Sequence, residues 1–139
     1  MLKQFVITVL VLLVVANGVE AQSVYRFKVD VPFQFVLNGR TLPAGTYVIE
    51  RTDPAKPNIL TLKKLGGGIV RVVITQRVEK DEPSTASSLI FIHRKGNHYL
   101  FQVWTAGAMN GNQIPKALDK NVEEQQRNNV TLVTLRGKQ

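Results

Sequence analysis

"VPFQFVLNGRTLPAGTYVIER", residues 31–51, carries the reading of the fold. Val31, Phe33, Phe35 and Leu37 recur at period two with Gln34 on the other side, the alternation of a strand with one buried face. Asn38-Gly39 follows, the pair that most readily takes positive φ in a two-residue hairpin loop. A loop on that pair sets Leu37 against Arg40 and Phe35 against Leu42, so the apolar face continues across the turn. Pro43-Ala44-Gly45 then bends the chain again. Proline fixes φ at the first corner and glycine suits the last turn position; a new strand over 46–51 leaves the bend. Every special residue between 38 and 45 is engaged in backbone geometry, and none is left over for chemistry.

The same grammar runs outward from this stretch. Residues 53–58, with Pro54 and Pro57, read as a loop, and "NILTLKKL" (58–65) as a short strand. Gly66-Gly67-Gly68 turns it into "IVRVVITQRV" (69–78), where Val70, Val72, Ile74 and Val78 share one face and Arg71, Thr75 and Arg77 the other. The triple glycine is no phosphate loop: it lacks the following lysine and hydroxyl residue, and it opens a strand where that motif needs a helix. "EKDEPSTASS" (79–88), the most polar segment, is expected to be a mobile surface loop. "LIFIHRKGNHYLFQVW" (89–104) reads as two strands about a tight turn at Lys95-Gly96-Asn97. In "IPKALDKNVEEQQRNN" (114–129), Ile114, Leu118 and Val122 lie four apart behind Pro115, which predicts a short amphipathic helix. "NVTLVTLR" (129–136) closes as a strand. Closely spaced strands with one late helix predict an all-β domain, mainly an antiparallel β-sandwich or small barrel, with one short C-terminal helix.

Reactive groups are sparse. The chain has no cysteine and two histidines, His93 and His98, on either side of the 95–97 turn. A two-residue loop places them on one face; a three-residue loop separates them. Together they supply two metal ligands where zinc normally takes three or four from the protein, so no metal or cofactor is assigned. Ser84, Ser87 and Ser88 stand in the polar segment without a glycine-framed elbow, and no pair of carboxylates is spaced for glycoside hydrolysis. The sequence therefore predicts a protein without catalysis.

The 89–104 hairpin is apolar on both faces. With a two-residue loop, Ile90, Ile92, Tyr99, Phe101 and Val103 share one face. The other carries Leu89, Phe91, Leu100 and Trp104, beside His93 and Lys95. Either both faces are covered, by the opposite sheet and by the C-terminal helix, or Trp104 and its neighbours His93, His98 and Lys95 form an exposed platform for sugar rings or a protein partner.

The first residues decide location. Lys3 precedes an uncharged apolar run over 5–16, and Val19-Glu20-Ala21 offers the small residues of a cleavage site. Twelve apolar residues are too few to cross roughly 30 Å of hydrocarbon. Residues 1–21 are therefore expected to be a secretory signal peptide and 22–139 a single β-rich domain, exported through the inner membrane to the periplasm or beyond, with no later transmembrane segment. Formal net charge is +8. The basic residues are scattered, with no run of five or six, which fits a basic soluble surface or attraction to an anionic polymer such as envelope polysaccharide. Nucleic acid is disfavoured by the predicted export and by the lack of a recognition motif.

The 31–51 stretch, "LIFIHRKGNHYLFQVWTAG" and "IPKALDKNVEEQQ", in that order, resemble a family of small exported proteins of acidobacterial-type soil bacteria. Members share a V-P-F-x-F start, an L-P-A-G-x-Y turn, a hairpin ending near a tryptophan, and a late L-P-K-like helix start; here Ile114 replaces the usual leucine. The resemblance implies an exported β-rich fold and supplies no catalytic residues. A structural or binding role in the envelope or outside the cell is the expectation.

Overall fold

The computed structural model describes residues 26–115 and 131–138. These form strands β1 Arg26–Val31, β2 Phe35–Leu37, β3 Arg40–Leu42, β4 Gly45–Glu50, β5 Ile59–Lys64, β6 Val70–Ile74, β7 Gln76–Glu79, β8 Ser88–Arg94, β9 Asn97–Trp104, β10 Asn110–Gln113 and β11 Thr131–Arg136. No helix occurs among the described residues. The expected leader over 1–21 and, beyond Pro115, the expected C-terminal helix lie outside them.

The expected alternation is present in β1, whose Phe27, Val29 and Val31 are buried while Arg26, Lys28 and Asp30 are exposed. The strand predicted to continue through Phe35 is broken, however. Pro32 has no amide to donate, and the chain leaves one sheet after Val31 and enters the other at Phe35. Both ends still bury their apolar residues because the two sheets share one core. Strands order β1-β4-β5-β6 in the first sheet and β11-β8-β9-β10-β7 in the second. The β2–β3 hairpin joins the second sheet by a parallel bridge from Val36 to Tyr99. Asn38 and Gly39 hold φ of 50° and 77°, and Leu37 pairs Arg40 and Phe35 pairs Leu42, the predicted two-residue hairpin.

Between the sheets lie Phe27, Phe35, Tyr47, Ile49, Leu60, Leu62, Leu89, Phe91, Leu100 and Val103, all buried. Each such side chain contributes roughly 1.5–3 kcal/mol on leaving water. Tyr47 is fully buried and donates its hydroxyl to the Pro43 carbonyl at 2.6 Å, tying the proline bend to β4. Burial pushes the Tyr47 phenol above its ordinary pKa, with Arg71 pulling the other way. The two sheets are joined at two places. Lys138 exchanges backbone hydrogen bonds with Lys28 at 2.7 Å, joining the end of the chain to β1. Opposite, the predicted single strand 69–78 is two strands, and Thr75 carries the chain from β6 in one sheet to β7 in the other.

Two surface segments carry more than the sequence predicts. Residues 79–88 do run over the surface, with 79–83 and Thr85 exposed, but Ser84 and Ser87 are buried and the segment is tied to the 105–109 turn. Ser84 N donates to Ala108 O, Gly107 N to Ser84 O, and Ala106 N to Ser87 Oγ. In β6 the apolar set Val70, Val72 and Ile74 faces solvent, while Val73 packs inward. Register decides this, because Leu60 pairs Val73 and Leu62 pairs Arg71. The core-facing parity of β5 therefore fixes that of β6.

Candidate functional site

The hairpin loop has two residues, Lys95 and Gly96, with φ of 48° and 79°, and Arg94 pairs Asn97. His93 and His98 consequently face each other directly, their rings stacked at 4.5 Å between centroids. On the far side of His98 lies Phe33, nearly parallel at 3.7 Å. Phe33 meets Phe91 edge-on, and Phe91 meets Phe35 in the same way, so an aromatic column runs from the hairpin into the core. Burial, and secondarily the charge of His93, lowers the His98 pKa below its ordinary value. Among the described residues no third His, Cys, Asp or Glu gathers with them. Lys95 is exposed at the tip.

Trp104 does not join this group. It ends β9, six residues from His98, roughly 20 Å away at about 3.3 Å per residue. Nor is it a platform, being 2% exposed. A bulge between Ile90 and Phe91 shifts the register, so Val103 pairs Leu89 on the core face and Trp104 pairs Ser88 on the outer one. This reverses the predicted faces of both. The indole lies against Gly111, donates to Gln102 Oε1 at 3.0 Å, and carries Lys80 Nζ at 3.9 Å from its ring centroid. The four residues singled out by sequence thus divide into a stacked histidine pair, an exposed tip and a buried tryptophan.

Two other features have the exposure that recognition requires. The first is the open edge of the four-stranded sheet. Lys64 N donates to Ile69 O and Thr75 N to Asn58 O. Strand periodicity then aims the amides and carbonyls of Val70, Val72 and Ile74 away from β5, toward the side where no described strand pairs with β6. Arg71 Nη1 donates to Val70 O at 2.9 Å and occupies one of these acceptors. The outer face over β1, β4 and β5 carries charge, with Glu50 paired to Lys63 and lying 4.0 Å from Arg26. On β6 it is bare, with Val70, Val72 and Ile74 exposed by 50%, 66% and 66%.

The second is a cleft of about 190 Å³ where the sheets join, lined by Arg51, Asn58, Arg77, Asn110 and Asn112 together with Pro57 and Gly111. Asn112 is buried and holds one wall, donating from Nδ2 to Pro57 O at 2.9 Å and to Thr75 Oγ1 at 2.8 Å. Arg77 Nη2 donates to Asn110 Oδ1 at 3.0 Å and lies 3.0 Å from the Glu79 carboxylate. Sequence reasoning missed this group. Its members come from the 51–58 connection, β7 and β10, and "NGNQ" in β10 has no apolar alternation to mark it as a strand. No family model, curated protein or solved structure matches the chain.

Proposed function

We propose that this is an exported, non-catalytic protein with a structural or binding role in the cell envelope or outside the cell, and that it works by holding another polypeptide strand along the β6 edge. The observation that carries this is the bare edge itself. Sheet edges are ordinarily blunted by charge, proline or a covering loop, whereas β6 presents three outward β-branched residues more than half or about half exposed. Strand addition takes its affinity from backbone hydrogen bonds and its selectivity from alternate side chains. Val72 and Ile74 supply both. Export is supported by the lysine-led apolar leader and by the resemblance to small exported acidobacterial-type proteins.

The test is a proline at the edge. The Val72 amide points away from β5, and proline is tolerated on an edge strand whose amide faces solvent. Val72→Pro is therefore expected to leave the monomer's melting temperature within a few degrees while abolishing pairing. Amide exchange at Val72 and Ile74 should be fast in dilute protein and slow when either protein concentration rises or native envelope proteins are added. Fast exchange under all three conditions, or protection that survives Val72→Pro, would overturn the proposal.

A further inference from the structure

We infer that the cleft between the 51–58 connection, β7 and β10 is a binding subsite for one carboxylated sugar unit of an acidic polysaccharide. Two guanidiniums, Arg51 and Arg77, border it, and no carboxylate is among the described residues of its lining. Guanidinium is the side chain that meets a carboxylate with two parallel hydrogen bonds. Beside the arginines stand Asn58, Asn110 and Asn112, whose amide groups suit neutral hydroxyls; Asn112, with both Nδ2 hydrogens already used, offers an acceptor only. That mixture separates a uronate from a simple inorganic anion, which would use the charges and leave the amides idle. The size agrees: about 190 Å³ is below the roughly 300–1,000 Å³ of sites for drug-sized ligands, and suits a single ring of a chain that continues into solvent.

The walls are set before a ligand arrives. Asn112 is buried, and its two Nδ2 hydrogen bonds hold neighbouring segments, Pro57 O and Thr75 Oγ1. Asn110 accepts from Arg77 through Oδ1, which orients the guanidinium. Glu79 is a competitor at Arg77. Its carboxylate sits 3.0 Å from Arg77, with both side chains about two-thirds exposed. Ion pairs of that kind are weak, so an incoming carboxylate that also engages Arg51 and the amides displaces it. The basic net charge of +8 assists approach of a polyanion and makes association depend on salt.

Titration with a short oligogalacturonide at low salt, followed by side-chain NMR signals of the arginines and asparagines, tests this. Saturable shifts at Arg51, Arg77 and Asn110 are expected. Arg77→Gln should weaken binding about tenfold, the loss of one charge-assisted pair. Glu79→Gln should tighten it about twofold by removing the competitor. Arg94→Gln, on the distant hairpin, should leave it unchanged. Equal binding of a neutral glucose oligomer, equal shifts with inorganic phosphate, or non-saturating shifts spread over surface lysines would each overturn the assignment. Val72→Pro should not alter this titration, so the fate of the edge and that of the cleft are read separately.

Discussion

At the scale of single residues, His98 is the titratable group held in the aromatic stack of the hairpin. It is sandwiched between Phe33 at 3.7 Å and His93 at 4.5 Å. A proton on it would face burial and a second imidazole together, and both lower its pKa below the ordinary value near 6.5. Between the lowered folded pKa and the unfolded one, the unfolded chain binds a proton that the folded chain refuses, so stability rises with pH across that window. The contribution is complete above about pH 6.5 and is lost as the solution is acidified below it. A melting curve series should therefore be flat near pH 7 and fall under about pH 6.5. His98→Phe keeps a flat ring against Phe33 and should remove that part of the slope; an unchanged acid slope in the variant would show that another group is responsible. Phe33 is the residue that makes this site, and it was visible in the sequence only as an alternating core residue. Its role in the stack depends on β2 lying parallel to β9 through Val36 and Tyr99, a contact between segments more than sixty residues apart that no local pattern encodes.

At the scale of elements, β9 and β10 show how one irregular residue redirects a strand. Pure alternation would place Trp104 with Leu89, Phe91 and Leu100; the bulge between Ile90 and Phe91 sends it to the outer face instead. There it is covered, because the strand beside it carries Gly111 in register. A Cβ at Gly111 would come within 2.7 Å of ring atoms Cδ2 and Cε3 of Trp104, closer than atoms pack without displacement. The glycine is thus a consequence of the indole lying across the backbone. Gly111→Ala should force the ring outward, cost about 1–3 kcal/mol by overpacking, and shift tryptophan emission to longer wavelength as the indole gains water. A variant that melts within about 0.5 kcal/mol of the parent, with unaltered emission, would contradict this packing. The Asn38-Gly39 hairpin was legible in the chain, since that pair carries its conformational preference locally; at 95–97 the turn was legible but its two-residue length was not, and only the pairing of Arg94 with Asn97 fixes it. The face of Trp104 was not legible, because a bulge needs only one extra residue and leaves no compositional mark. The outward turn of Val70, Val72 and Ile74 escaped notice for a related reason: alternation reveals which residues share a face, but pairing with β5 decides which face is inside.

At the scale of the whole molecule, the sandwich depends on how its sheets are joined at Thr75, the one residue between β6 and β7. Thr75 is buried and acts in three hydrogen bonds. Its amide and its hydroxyl both donate to Asn58 O at 2.8 Å, and its hydroxyl accepts from Asn112 Nδ2. This small network locks the first sheet's 51–58 connection to the second sheet's β10, and it also forms a wall of the Arg51–Arg77 cleft. The all-β class could be read from strand spacing and turn residues alone. The junction could not, since a polar threonine inside "IVRVVITQRV" looks like the solvent side of one continuous strand. Thr75→Val keeps the shape and removes the hydroxyl, leaving the Asn112 amide short of an acceptor in a buried site, a loss of about 1–3 kcal/mol. Urea unfolding should show a lower midpoint with an unchanged slope, since the surface exposed on unfolding is the same. Asn112→Ala in the same background should then cost less than it does alone, because the group it would have orphaned is already gone. Strict additivity of the two substitutions, or a Thr75→Val protein as stable as the parent, would mean that the sheets are held together by the apolar core without this polar clasp.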